Sequence, residues 1–174
     1  MSTQLESPSL RLKDSYLSLV DEFRQRGEPL IPFPLKFFTG DFPAFIAGLE
    51  KCTRGEDLPT GFVPHETFWL VENGGHVVGV SNLRYSLTDE LRRIGGNIGY
   101  GIRPSARRLG HATTILRETL IKAKAQGIRR VLVTADKGNA GSVKTILKNG
   151  GVLDAEELLP GHPDITQRFW ISVG

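Results

Sequence analysis

The 174-residue chain contains one cysteine, Cys52. That count excludes an intramolecular disulfide and a thiolate-rich zinc site. With no histidine near it in sequence, Cys52 reads as a small apolar filler rather than a nucleophile. The four histidines, His65, His76, His111 and His162, are scattered without H-x-x-H or H-E-x-x-H spacing, so no metal is expected. No apolar run approaches the roughly 20 residues that span a bilayer, and no charged-then-apolar leader is present. The expectation is a soluble, cytoplasmic protein without a membrane partner. Low-complexity tracts, repeats and interdomain linkers are also missing, so 39% apolar content predicts one domain over residues 1–174.

Charge is uneven. Against a net +3, the stretch from Arg103 to Lys148 holds 11 Lys/Arg and only two acids, Glu118 and Asp136. Such a concentration draws a polyanionic ligand. Ordinary solvated helices explain Arg117, Lys122, Lys124, Arg129 and Arg130 equally well, whereas Arg107 and Arg108 adjoin a turn that has other uses. An isoelectric point of about 9.2 makes a nucleic-acid-binding module one reading of this block. Yet no aromatic residue lies between Gly101 and Phe169, which removes base-stacking platforms and argues against a nucleic-acid partner.

Periodicity predicts alternating elements. A short strand is expected over Ser9–Leu12, then a helix capped by Asp14 with Tyr16, Leu17, Leu19, Val20 and Phe23 on its apolar side. Three prolines forbid regular structure in residues 28–38, where Phe33, Phe37 and Phe38 are too apolar for a free loop. A second helix starts at Phe42 behind Asp41, with Pro43 in its first turn. Asn73-Gly74 between β-rich runs marks a hairpin, and Thr88 opens a short helix closed by Gly95-Gly96. Asn97–Ile102 is a strand with one face reduced to Asn97, Gly99 and Gly101, which implies a bulge or a closely approaching chain or ligand. Val131–Ala135 is a further strand, and Val152-Leu153-Asp154 and Ile165–Val173 supply the last two.

Between the strand at Tyr100 and the helix from Ala112, Arg107, Gly110 and Ala112 form an Arg-x-x-Gly-x-Ala turn. Small residues there leave backbone N–H groups uncovered at the positive end of a helix dipole, where a pyrophosphate could dock. Strand, polar turn at Asp136–Asn139 and helix Ala140–Asn149 follow.

In this arrangement the chain resembles the GNAT superfamily of acetyl-CoA-dependent N-acetyltransferases, over roughly Gly95 to Gly151 and more loosely throughout. Arg107, Gly110 and Ala112 match the acyl-CoA motif, and Asn139, Ser142 and Gly150-Gly151 match a second one. The run from Gly95 to Ser105 is most similar to a bacterial branch of predicted acetyltransferases. The resemblance implies an α/β (α+β) fold with a mixed central sheet of six to seven strands, a splayed, bulged central strand and about four flanking helices. It implies acetyl-CoA as co-substrate, bound by Ile102, Arg103, Arg107, Arg108, Leu109, Gly110, His111, Ala112, Asn139 and Ser142. The pantetheine arm would fill the gap beside the strand bearing Gly99 and Gly101. Transfer would be direct attack by a primary amine in a ternary complex, the acceptor being a small molecule before a protein or peptide. Pairing through terminal strands, with Phe169-Trp170-Ile171 as contact, would give a homodimer.

The chain departs from the commoner pattern at two points. The tyrosine usual on the helix after the Asn motif falls at Ile146, which cannot donate a proton. The carboxylate usual near the start of the central strand is replaced by Gly96 and Asn97. A non-catalytic acyl-CoA sensor or partner subunit therefore stands as an alternative. Catalytic candidates are Tyr100, facing either the acyl pocket or solvent, and Asn97, holding a relay water or satisfying turn backbone; Glu66 and Asp136 are further carboxylates near strand ends. Phe33, Phe37 and Arg84 are the candidate acceptor-binding residues, Arg84 by forking a carboxylate or by forming a surface salt bridge. The mixed aromatic and cationic lining favours an amine with apolar or carboxylate character.

Overall fold

The computed structural model describes residues 2–174. A four-stranded sheet of order β1-β2-β3-β4 comprises β1 (Thr3–Glu6), β2 (His65–Glu72), β3 (His76–Arg84) and β4 (Ile98–Ile102). A three-stranded sheet of order β5-β7-β6 comprises β5 (Arg130–Asp136), β6 (Val152–Leu158) and β7 (Ile165–Ser172). The helices are α1 (Lys13–Gln25), α2 (Phe42–Arg54), α3 (Asp89–Arg93), α4 (His111–Ala125) and α5 (Ala140–Lys148). Six of the seven expected strands are present and the seventh strand lies where none was expected; the seven are divided between two sheets rather than joined in one.

Local chemistry accounts for most element ends. Asp41 caps α2 through a bond from the Ala44 N–H (3.0 Å), and Gly55 ends it in the left-handed region. Thr88 caps α3. The β2–β3 turn uses Asn73 (φ 50°) and Gly74 (φ 73°), the positive-φ pair that matches strand twist. The N-terminal segment corrects the sequence reading. Leu10–Leu12 form a 3-10 turn, not a strand, and β1 lies earlier, at Thr3–Glu6, antiparallel to β2. α1 begins at Lys13, so Asp14 sits in its first turn instead of capping it. Phe33–Lys36 likewise adopt one 3-10 turn, with Pro34 and Leu35 buried.

One core lies under α1 and α2, where Tyr16 stacks on Trp69 at 4.4 Å between ring centroids, joined by Phe42, Phe45, Leu49 and Val80. A second fills the space among the sheets, α4 and α5, with Phe68, Ile98, Leu116, Val133, Ile146 and Phe169. Burying these large side chains contributes about 1.5–3 kcal/mol each.

β4 and β5 are the outer strands of their sheets and face one another. At the start of β4, Asn97 joins them: its N–H donates to Leu132 O (2.8 Å), and its Oδ1 accepts from the Leu132 N–H (2.9 Å). From there β4 pairs only with β3, in an unbroken register from Leu83↔Ile98 to Gly79↔Ile102. The bulge expected in β4 is absent from this pairing; register shifts fall at Leu70/Val71 and Leu153/Ala155. The splay thus comes from two separate sheets, which leaves the outer main-chain edge of β4 unpaired.

Candidate functional site

A cleft of about 920 Å³ runs along the free end of β4 to the starts of α4 and α5. Its lining includes Ile31, Tyr100, Gly101, Ile102, Arg107, Arg108, Gly110, His111, Ala112, Asn139 and Ser142. The structure therefore brings the two sequence motifs together on one cavity.

At one end, Pro104–Ala106 form a 3-10 turn, after which Arg108 (φ 66°) and Gly110 (φ 86°) take left-handed backbone. Gly110 is the N-cap of α4 and offers no side-chain cap. The earliest backbone bond of this helix is Thr114 N–H to Gly110 O (3.1 Å). Among the described residues, the N–H groups of His111, Ala112 and Thr113 make no bond. A Cβ on Gly110 would meet nothing within 4 Å and would occupy this open space. Bare donors, dipole and room fit a pyrophosphate.

Individual side chains behave differently from one another. Arg107 forks Glu28, with Nη1 to Oε1 at 3.0 Å and Nη2 to Oε2 at 2.6 Å, and its guanidinium lies 5.5 Å from the Phe23 ring. The hydrogen bonds from Arg107 hold the Glu28 carboxyl below its usual pKa. Arg108 and Leu109 are exposed at the cleft rim. The His111 side chain is buried and lies near Glu72, its Nε2 3.6 Å from Oε1, so only its main chain serves the turn.

Arg103 is a correction. Its side chain is 3% exposed and bonds Val77 O (2.9 Å), Ser18 Oγ (3.1 Å), Glu22 Oε1 (2.9 Å) and Ser15 O (2.5 Å). That guanidinium ties β4 to α1 and is spent there, away from the cleft. Asn97 is the second correction. With its Oδ1 on Leu132 N–H and its Nδ2 donating to Arg84 O (3.1 Å), the buried amide is engaged with main chain on both sides, at the seam and not at the reacting end of the cleft. Backbone satisfaction, the competing sequence reading, is what the structure contains.

Across the cleft, Asn139 caps α5 by accepting the Ser142 N–H (3.1 Å), which leaves its amide nitrogen available. Tyr100 reaches from β4 to α5, its hydroxyl 2.8 Å from Ser142 Oγ. Burial raises the Tyr100 pKa, opposed by hydrogen bonds with Ser142 and Thr145, so the phenol stays protonated at neutral pH. The other face of β4 is covered by the chain itself. A Cβ on Gly101 would overlap the Ile31 carbonyl oxygen, and one on Gly99 would touch Pro32 Cβ at 3.4 Å.

Next to that cover, Phe33 contacts Phe37 (5.8 Å), Phe62 (5.5 Å) and His65 (4.9 Å), and the Arg84 guanidinium lies over it at 5.1 Å. All three expected acceptor residues thus meet, whereas Phe38 is 80% exposed. Phe62 lies in the Gly55–Pro64 loop, which sequence also assigns to the acceptor side; His65 and Asn82 were not anticipated. Strand register sets Asn82 opposite Thr67 and diagonal to His65, a placement for which the local sequence carries no signal.

Residues 35–150 match the model of the acetyltransferase (GNAT) family. The chain belongs to this family. Its co-substrate is accordingly acetyl-CoA, and the bare donors at the start of α4 suit that ligand. Among curated proteins none matches the sequence. Solved structures share the fold. A GNAT-family acetyltransferase from Streptococcus pneumoniae is 17% identical with a TM-score of 0.67, over 99% of this chain and 100% of that one. RimJ from Mycobacterium smegmatis, in complex with CoA-disulfide, is 18% identical with a TM-score of 0.70, over 98% and 81%. A putative acetyltransferase, yncA, from Salmonella typhimurium with acetyl-CoA is 13% identical with a TM-score of 0.63, over 100% and 95%.

Proposed function

We propose that this GNAT enzyme transfers acetyl from acetyl-CoA to the primary amine of a small molecule, by direct attack within a ternary complex. The observation that carries the reading is the cleft: bare N–H groups at the start of α4 lie at one end, and the Tyr100–Ser142 pair and the unpaired edge of β4 line the rest. Acetyl-CoA supplies an activated thioester carbonyl. The N–H groups of His111 to Thr113 hold its diphosphate, and Arg108 adds charge at the rim. The free edge of β4 offers main-chain partners to the arm and orients the carbonyl beside the strand. Tyr100, protonated and bonded to Ser142, donates a proton to the departing sulfur, from the opposite wall to the α5 position that Ile146 fills, and the proton lost by the attacking amine restores the phenol, so that the amide and the CoA thiol are released. A small acceptor is favoured because Ile31 and Pro32 lie directly on β4, which leaves no open trough for a peptide across its glycine face.

Assay of CoA release over an amine panel tests the reading. Tyr100→Phe is expected to lower kcat by about 10²-fold while leaving acetyl-CoA affinity within about threefold. Unchanged kcat removes Tyr100 from the chemistry. Tight CoA binding with no release for any amine favours the non-catalytic sensor.

A further inference from the structure

Arg84 carries a charge that the protein leaves without a counter-ion. It ends β3, and its Nη1 donates to Gly95 O (3.2 Å) and Gly96 O (3.0 Å). Among the described residues its Nε and Nη2 have no partner, and no carboxylate lies within ion-pair distance. Burial lowers its pKa. The side chain is half-buried, so Nε and Nη2 stay reachable from outside, and an anion taking them would offset the partial desolvation of the charge.

Opposite it in register stands His65, 2% exposed. The Asn82 amide nitrogen lies 2.9 Å from His65 Nδ1, its shortest contact, and donates one hydrogen to it; the other is shared between Thr67 Oγ1 (3.2 Å) and Glu66 O (3.3 Å). That network makes Nδ1 the acceptor and assigns the ring proton to Nε2. Burial, with the Arg84 charge adding to it, pushes the His65 pKa down to about 4, so the ring is neutral at pH 7. Its Nε2–H is a buried donor with no partner. Phe33 contacts both groups, edge-on to His65 and beneath Arg84. Apolar surface adjoins them, with Phe62 45% exposed beside Phe33. Arg84 and Asn82 share the sheet face of Gly99 and Gly101, so this cluster and the covered stretch of β4 lie on one side of the sheet.

We propose that Arg84 and the Nε2–H of His65 form a carboxylate-binding subsite, and that the acceptor is an amine bearing both a carboxylate and an apolar group. This rests on the N-acetyltransferase reading above. A planar carboxylate takes two hydrogen bonds from the free side of the guanidinium and one from the imidazole, which satisfies every orphan donor described here. The phenylalanine cluster takes the apolar group. An acceptor with a positively charged body would meet Arg84 unfavourably, which excludes polyamines.

The test compares L-phenylalanine and L-leucine with L-phenylalaninamide, phenethylamine and isoamylamine, by CoA release and by calorimetric titration of the CoA-loaded protein. The carboxylates are expected to exceed their decarboxylated or amidated counterparts at least 30-fold in kcat/KM and in affinity. Arg84→Gln is expected to bring that ratio close to one, and Arg84→Lys to leave an intermediate ratio, because it keeps the charge and loses the fork. Acetyl-CoA titration confirms that each variant is folded. Equal use of amide, amine and carboxylate by the unaltered enzyme overturns the subsite and leaves acetyl transfer standing. Arg84-dependent carboxylate binding without CoA release upholds the subsite and overturns acetyl transfer. Absence of carboxylate binding overturns the subsite.

Discussion

Replacing Gly101 by alanine tests whether residues 31–32 truly cover β4. The added methyl would overlap the Ile31 carbonyl oxygen and come within 3.2 Å of its carbon and 3.4 Å of Phe23 Cζ. Backbone is the obstacle, so no rotamer change relieves it. Overpacking of this kind costs about 1–3 kcal/mol, equivalent to a fall in Tm of about 3–10 °C for a domain of this size. Gly99→Ala is the matched control. Its methyl meets only Pro32 Cβ at 3.4 Å, an ordinary contact, and alanine in a strand lacks the excess chain entropy of glycine. Stability should hold or rise by up to about 0.5 kcal/mol. Urea denaturation of both variants gives the comparison. Function should separate too: lifting Ile31 raises the acceptor KM of Gly101→Ala and leaves CoA affinity nearly unchanged. Equal stability of the two variants would refute the placement of this segment and, with it, the argument for a small acceptor.

Gly110→Val places a branched side chain where the N–H groups are bare and forces it to a φ of 86°; CoA affinity by calorimetry should fall at least 100-fold. Asn97→Ala strands the Leu132 N–H and the Arg84 carbonyl, which costs about 2–4 kcal/mol, read as a lower urea midpoint. For pH, the His65 pKa is depressed to about 4 from an unfolded value of 6.5. The unfolded state therefore binds the extra proton between those values, and the stability fully present above pH 6.5 is lost as pH falls towards 4. At about 1.4 kcal/mol per unit the loss is about 3 kcal/mol. Urea midpoints at pH 7 and pH 5 should converge in His65→Asn relative to the unaltered protein.

Features governed by adjacent residues were legible in the sequence. The Asn73-Gly74 turn, the Asp41 and Thr88 caps and the Gly110 bend each follow from the conformational preference of one or two residues. β1 was missed because Thr3-Gln4-Leu5-Glu6 has little strand character by itself and is recruited by pairing with β2. Arg103 was misplaced for a related reason. Adjacent to a basic phosphate turn it resembles a ligand contact, yet its partners Ser15, Ser18 and Glu22 lie more than 80 residues earlier. Sequence separation hid the acceptor cluster as well, since His65 meets Asn82 only through the register of a hairpin and meets Phe33 only through the α1–α2 connection.

The stitch at Asn97 sets a limit on what an activity survey would notice. The carboxamide of Asn97, with its own main-chain N–H, holds the seam at which the two sheets part, so this residue governs how wide the coenzyme slot begins without approaching the reacting atoms. Damage at that position would surface as heat lability of the whole molecule, and a screen scoring turnover at low temperature would pass over the residue that keeps the slot open.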